Sequence, residues 1–383
     1  MKPSTMFYAK RLSFLLSVLN SDDQHVRMVA RHCFQLHMEK RKVPGAHLQN
    51  TFGGYMTDNE GRLVKNSRVN WPRSSFVELN ELCVRLNLKL EFDEENDIFG
   101  IVLPVSNDRI VQIRYTDAKH LYSAVKQMEM DKDLRHFRDL QQQGRLQREA
   151  IPSADMTCST SHLTNGNVND HLTRFIVKGR LQLLETNDVN HIYYPQTYQK
   201  ACTLCGFHTD TNSHALNGCR RLKGLYTQRH DRCVNIIRQE LQRSLVNDFV
   251  QVFQDEPVSL EGVQDLGRLK PDLCFVDHSN AMAFIVEIAN PFDVFLQTCY
   301  DNKFQKYFPL CLSLNDAGFY TKIIVLVIGS LGTVHKNFVP GLSILGLPSR
   351  KCKQLAKYLS ISVMIGSRRA WARRGHMMNR LAP

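Results

Sequence analysis

Two carboxylates, Asp272 and Glu287, each sit inside a short and otherwise apolar, strand-like run. His278, Ser279, Asn280 and Ala281 lie between them and read as a turn. If the turn is centred between Ser279 and Asn280, Asp272 falls opposite Glu287, because both lie equally far from that centre. Cross-strand neighbours on one sheet face have Cβ atoms about 5 Å apart. Two carboxylates that close repel, so one takes up a proton or a cation sits between them. A hard divalent ion with oxygen ligands suits the gap. The ordinary alternative for Glu287 is the solvent-facing member of an alternating strand. Residues 283–289 are apolar on both faces, however, which fits a buried strand better.

Downstream, Lys303 and Lys306 stand three residues apart and share one face of an expected helix. The ordinary alternative is a solvated helix face. Upstream, Cys202, Cys205, His214 and Cys219 have the spacing C-x2-C-x8-H-x4-C. Three thiolates and an imidazole make a closed tetrahedral zinc shell with a structural role. Gly206 permits the sharp turn around a metal. His208 competes with His214, whose spacing to Cys219 fits a knuckle better. The chain has eleven Cys; the other seven are scattered, so a metal site is expected rather than a disulfide framework.

The Pro271-Asp272 start, the second acid and the downstream Lys together resemble the PD-(D/E)xK nuclease pattern of restriction-enzyme-like folds. More narrowly, the segment is similar to the restriction-like endonuclease at the C-terminus of site-specific non-LTR retrotransposon polyproteins. The general pattern has a Lys two residues after the second acid; Ala289 stands there, a departure. In the retrotransposon branch that Lys lies on the following helix in a K-x-x-K-Y-like setting. This implies Lys303 as the catalytic Lys, with Lys306 as the alternative. The family also carries a CCHC motif between reverse transcriptase and nuclease. Arg229-His230-Asp231 resembles its arginine–histidine pair on the helix entering the nuclease, which implies nucleic-acid contact by Arg229 and His230, although a plain helix-face role for His230 stays open. Glu240, on the same stretch, is a minor candidate for assisting the metal.

The resemblance implies a Mg2+-dependent endonuclease. Asp272 and Glu287, with a backbone carbonyl near Ile288, would hold the ion, and Lys303 would position water or neutralise the developing phosphorane charge. Its partner would be a target DNA duplex, with the element's RNA a further candidate; no membrane and no small-molecule substrate is expected, and the location would be the nucleus. The family nicks one strand to prime reverse transcription. The polymerase itself is not expected here: Asp22-Asp23 follows Asn20-Ser21 at a helix start and reads as an acidic first turn favoured by the helix dipole. Two other readings stay open. One is a nucleic-acid binder without catalysis, which Ala289 favours. The other is a zinc-centred protein–protein adaptor.

The formal charge is +12 over 383 residues, and the stretch from Arg350 onward supplies nine Lys or Arg and no acid. Arg368, Arg369, Arg373 and Arg374 flank Trp371, a stripe suited to a phosphate backbone. Acidic lipid and a solvated tail are the competing readings. No run approaches the roughly 18 apolar residues of a membrane span.

The expected fold class is α+β: a mostly helical N-terminal half, a small zinc module and a restriction-endonuclease-like core with a mixed sheet flanked by helices. The expected divisions are a helical thumb- or linker-like region at 1–150, a flexible linker and helix at 151–200, the zinc module at 201–222, the nuclease core at 225–345 and a basic C-terminal tail at 346–383. In the first region, helices are expected at 5–20, 22–40, 74–94 and 117–148, with Ser21 capping the second, a linker at 41–72 and a short strand at 98–103. From 225 onward the expected order is helix, three strands, helix, strand, then helices.

Overall fold

Residues 3–40, 88–93, 95–105, 111–164, 168–245, 250–264 and 266–380 are described by the computed structural model. The fold is α+β, and the chain divides into units of residues 1–136 and 137–383. The first unit holds helices α1 (Pro3–Leu19) and α2 (Gln24–Lys40), strands β1 (Lys89–Asp93), β2 (Ile98–Val105) and β3 (Val111–Tyr115), and most of α3 (Ala118–Asp139). Leu12, Leu16 and Leu19 of α1 pack with Phe34, Phe99, Ile101, Leu121 and Val125.

Two expectations for this unit are corrected. The stretch expected to be helical to residue 94 ends in β1, which pairs antiparallel with β2 from Asp93↔Ile98 to Lys89↔Val102. Pairing with the apolar β2 overrides local propensity there. The remaining part, 74–87, and the linker at 41–72 lie outside the described residues. Asp23, not Ser21, caps α2: its carboxylate accepts from the His25 and Val26 backbone N–H groups. The α2 residues Val26, Met28 and Val29 are exposed, and Phe34 carries the burial.

In the second unit, α4 (Asp170–Arg180) and α5 (Asn187–Tyr193) precede the Cys/His loop, then α6 (Lys223–Leu245) leads into the sheet. Strands β4 (Val250–Phe253), β5 (Leu273–Asp277), β6 (Met282–Ala289) and β7 (Tyr320–Val327) lie in sequence order. β4–β5 and β5–β6 are antiparallel; β6–β7 is parallel, with α7 (Leu296–Asp316) as the crossover. Two further helices follow, α8 (Phe338–Ile344) and α9 (Ser349–Asn379).

Strand alternation sorts the core. Leu273, Phe275, Val286 and Ile288 join the cluster containing Ile237 and Leu241 of α6 and Leu359 of α9. Cys274, Val276, Ala283 and Ile285 point the other way, onto Tyr307, Leu310 and Leu314 of α7. Glu287 shares parity with Ala283 and Ile285, and Asp272 with Cys274 and Val276. Both acids therefore begin on the α7 side of the sheet.

Two stretches marked out by composition are packed into the unit. The Ser/Thr-rich stretch after residue 150 is ordered short helix, and Ser153, Ser159, Ser161 and His162 are buried. It serves the loop after β7 with one side chain and one backbone group: Ser159 Oγ accepts from Val334 N at 2.9 Å, and Asp155 N donates to Val334 O at 2.8 Å. The expected tail is the 31-residue helix α9. Cys352, Ala356, Leu359, Val363, Ser367, Ala370 and Arg374 are buried at steps of three or four residues. That stripe docks on the unit and turns most of the basic residues outward.

Candidate functional site

The turn between β5 and β6 spans residues 278–281, and Leu273 pairs with Val286, Cys274 with Ile285. This register puts Asp272, one residue before β5, opposite Glu287. Glu287 is 3% exposed. Its Oε1 forms an ion pair with Lys303 Nζ, and its Oε2 receives a long contact, 3.4 Å, from the Asp272 N–H. Asp272 stands at the strand's end, and its Oδ2 accepts from Ile288 N at 2.7 Å. His230 Nε2, from α6, lies 3.0 Å from the Ile288 carbonyl and 3.4 Å from Asp272 Oδ2. Two acids, two bases and the Ile288 backbone carbonyl thus converge at the C-terminal end of β6.

α7 delivers the lysine because Lys303 continues the stripe of Tyr307, Leu310 and Leu314 that faces the sheet. Lys306 falls off that stripe. It is exposed, with Nζ 2.8 Å from Tyr307 Oη, and Tyr307 Oη donates to Lys270 O at 2.7 Å. The structure thereby separates two lysines that spacing alone put on one face. Burial works against the Lys303 charge, but the Glu287 carboxylate outweighs it and raises the pKa further. The Asp272 hydrogen bond pushes the His230 pKa up to about 9 against desolvation, so the imidazole is protonated at neutral pH. Burial, then the nearby Glu287 charge, keeps the Tyr307 phenol protonated. A polar groove of about 470 Å³ runs along His230, Asp231, Gln254, Asp255 and Asp272. Glu240 lies ten residues beyond His230 on α6, roughly 15 Å along the axis. It pairs with Lys351 at 2.5 Å instead.

The second constellation forms around a knuckle. Cys202 N donates to Phe207 O, and Gly206 N to Cys202 O, each at 2.8 Å, with Gly206 at φ +73°. The ligand atoms of Cys202, Cys205, His214 and Cys219 all lie within 4.8 Å of one another. Cys205 Sγ is 3.4 Å from His214 Nε2, close to the ~3.5 Å edge of a tetrahedron with zinc–sulfur and zinc–nitrogen bonds of usual length. This cluster can hold a metal ion, and three thiols with one imidazole form a zinc donor set. His208 stays exposed against the Phe207 ring, while Phe207 stacks on His214 with centroids 4.7 Å apart. Burial pushes the Cys202 thiol up to about 12, so metal has to displace a proton there.

Two residues expected to touch nucleic acid are interior instead. Arg229 is 5% exposed; it donates to Leu216 O, to Ser367 Oγ at 2.7 Å and to Asn290 O. Arg374 is 3% exposed and ion-paired with Asp210, which also accepts from Asn187 N at 2.9 Å. A buried guanidinium can satisfy several carbonyls at once, which makes it a cross-link between segments. Arg369 and Arg373 are exposed as expected, and Arg368 is half-buried over the Phe175 ring.

Spacing gave no sign of the residues that join the two constellations. Asn217, in the Cys/His loop, donates to Asn290 O at 2.7 Å, and Asn290 Nδ2 donates to Ile328 O at 3.1 Å. Asn290 directly follows β6, three residues past Glu287. Tyr307 was legible in retrospect, four residues beyond Lys303.

Compared with known proteins, the chain matches no family model and no curated sequence. Among the described residues, no helix is long and apolar enough to cross a membrane.

Proposed function

We propose that this chain is the metal-dependent DNA endonuclease module of a non-LTR retrotransposon polyprotein. The observation that carries the reading is the convergence of Asp272 and Glu287, opposite each other on adjacent antiparallel strands, with Lys303 brought onto Glu287 by the next helix. Two carboxylates and the Ile288 carbonyl make an all-oxygen donor set suited to Mg2+. Mg2+ held there would polarise a scissile phosphate and lower the pKa of an attacking water. Lys303 Nζ supplies positive charge where a phosphoryl oxygen gains negative charge, and His230 stands beside Asp272 as a further donor. The Cys202, Cys205, His214 and Cys219 cluster would hold structural zinc, and exposed Arg369 and Arg373 would hold the duplex backbone. A nuclear location belongs to the same reading.

A second reading has its own support. Asp272 is already served by His230 and the Ile288 N–H, and Glu287 by Lys303, so the acids are balanced without an ion. This favours a nucleic-acid binder that does not cleave. Supercoiled plasmid incubated with Mg2+ or Mn2+ separates the two. The nuclease reading expects nicks that fall at least about a hundredfold in Asp272→Ala while DNA affinity persists. Equal nicking by that variant, or none by the unaltered chain, leaves the binder.

A further inference from the structure

The second unit contains a cavity of about 280 Å³, apart from the groove beside Asp272. We propose that this cavity, bounded by Arg145, Ile192, Tyr193, Asn212, Phe292 and Phe295, binds one unstacked nucleobase of a nucleic-acid strand. Clefts for small ligands run about 300–1,000 Å³. This one sits at the low end, room for a single planar ring system rather than an extended ligand.

The walls have the chemistry of base binding. Phe292 and Phe295 come from the segment between β6 and α7, and Ile192 and Tyr193 from the end of α5. The Arg145 guanidinium lies over the Phe295 ring, 5.4 Å from its centroid. Aromatic faces and a stacked guanidinium accept any base, since every base has a π-face. Asn212 adds discrimination. It lines the cavity, is 2% exposed, and neither its amide oxygen nor its amide nitrogen has a hydrogen-bond partner. Leaving both groups of a buried amide unpaired is costly, and a ligand edge with adjacent donor and acceptor relieves it. Adenine offers that pair at N6 and N7, the usual partners of Asn.

The surroundings lead toward the same ligand. Tyr193, Tyr194 and Tyr198 are all exposed, and the last two rings lie 6.4 Å apart. Phe207, exposed on one side, stacks on the metal-site residue His214 on the other. Exposed aromatics paired in the manner of Tyr194 and Tyr198 mark a binding surface. Phe292 follows Glu287 by five residues, so at most about 18 Å separates their Cα atoms. A strand held at the acids can therefore place a nearby base in the cavity. The nucleic-acid partner is taken from the proposed function; cleavage is not needed for the cavity to fill.

The test uses the full chain with its zinc and no added Mg2+. Fluorescence anisotropy compares oligodeoxyadenylate with a base-free deoxyribose-phosphate strand of equal length. The base-bearing strand should bind tighter by roughly tenfold or more, the effect of stacking one base. Phe295→Ala and Tyr193→Ala should remove most of that advantage and leave the base-free strand's affinity unchanged. Asn212→Leu should narrow the preference for oligodeoxyadenylate over oligothymidylate. Melting temperatures check that each variant is folded; Tyr193→Ala, at an exposed position, keeps the test valid should Asn212→Leu misfold. Equal affinity for the two strands, variants that weaken both alike, or no binding to either would overturn the proposal. If the expected pattern appears but plasmid is never nicked, the base site stands and the nuclease reading falls.

Discussion

Replacing Lys303 with Met tests whether the two acids form an electrostatically strained pair that needs a cation. The substitution keeps the stem's packing and removes the ammonium. Glu287 would then be a 3% exposed carboxylate left with the Asp272 N–H at 3.4 Å and the neighbouring Tyr307 phenol. Breaking a fully buried pair costs about 3–5 kcal/mol, and an exposed pair is worth about 0–1 kcal/mol. The Lys303 side chain is 32% exposed, so solvent screening brings the expected loss to about 2–3 kcal/mol. At about 2–4 °C per kcal/mol for a unit of this size, the melting temperature should fall by roughly 4–12 °C at pH 7.5. The pH dependence follows from the sign. Without Lys303 the buried carboxylate has lost its cation, and burial disfavours the charged form in the folded state. Unfolding then releases a proton, and the penalty grows as pH rises through the unfolded pKa. It should be largest at pH 7.5 and small at pH 4.5. Millimolar Mg2+ or Mn2+ should restore more stability to the variant than to the unaltered chain, because an ion replaces the missing charge. Scanning fluorimetry at the two pH values, with and without metal, reads all of this. A loss below about 0.5 kcal/mol at pH 7.5, or an equal loss at both pH values, would refute the reasoning.

Other outcomes follow from neighbouring features. Purified chain should carry a single equivalent of zinc, and Cys219→Ser should lose it; zinc affinity should fall with acidification as protons compete for the thiols, and a metal-free chain of unchanged melting temperature would count against the knuckle. Arg374→Met should cost about 3–5 kcal/mol in urea denaturation by stranding the Asp210 carboxylate, whereas Arg369→Ala and Arg373→Ala should leave stability alone and each lower the salt slope of DNA binding by about one. His335 is 0% exposed, and burial pushes its pKa down to about 4. The unfolded chain therefore takes up its proton first, and stability should decline by up to about 3 kcal/mol as pH falls from 6.5 to 4. His335→Gln should flatten that part of the pH profile of the melting temperature; an unchanged slope would rule His335 out as its source.

The placement of the site residues was legible because both constellations are local in sequence. A hairpin's register follows from its turn, so Ser279 and Asn280 were enough to align Asp272 with Glu287. A knuckle closes within one loop, so the spacing of Cys202, Cys205, His214 and Cys219 carried its geometry. The order of strands and helices after residue 225 was readable from apolar runs of strand length. Composition misled where polar residues were counted without asking what they faced. The Ser-rich stretch after residue 150 reads as a linker, yet its Ser159 hydroxyl accepts a hydrogen bond from Val334 in the loop after β7.

The sequence by itself determined the paired acids, the Cys/His knuckle and the α+β order of elements, since each depends on residues near one another along the chain. Only the tertiary structure decided which cations those acids meet, which arginines face solvent and which are buried, and that Asn290 joins the Cys/His loop to the end of β6. Those outcomes depend on which face of α6, α7 and α9 the sheet covers. A side chain's charge is the same on either face, but burial changes what that charge must be paired with.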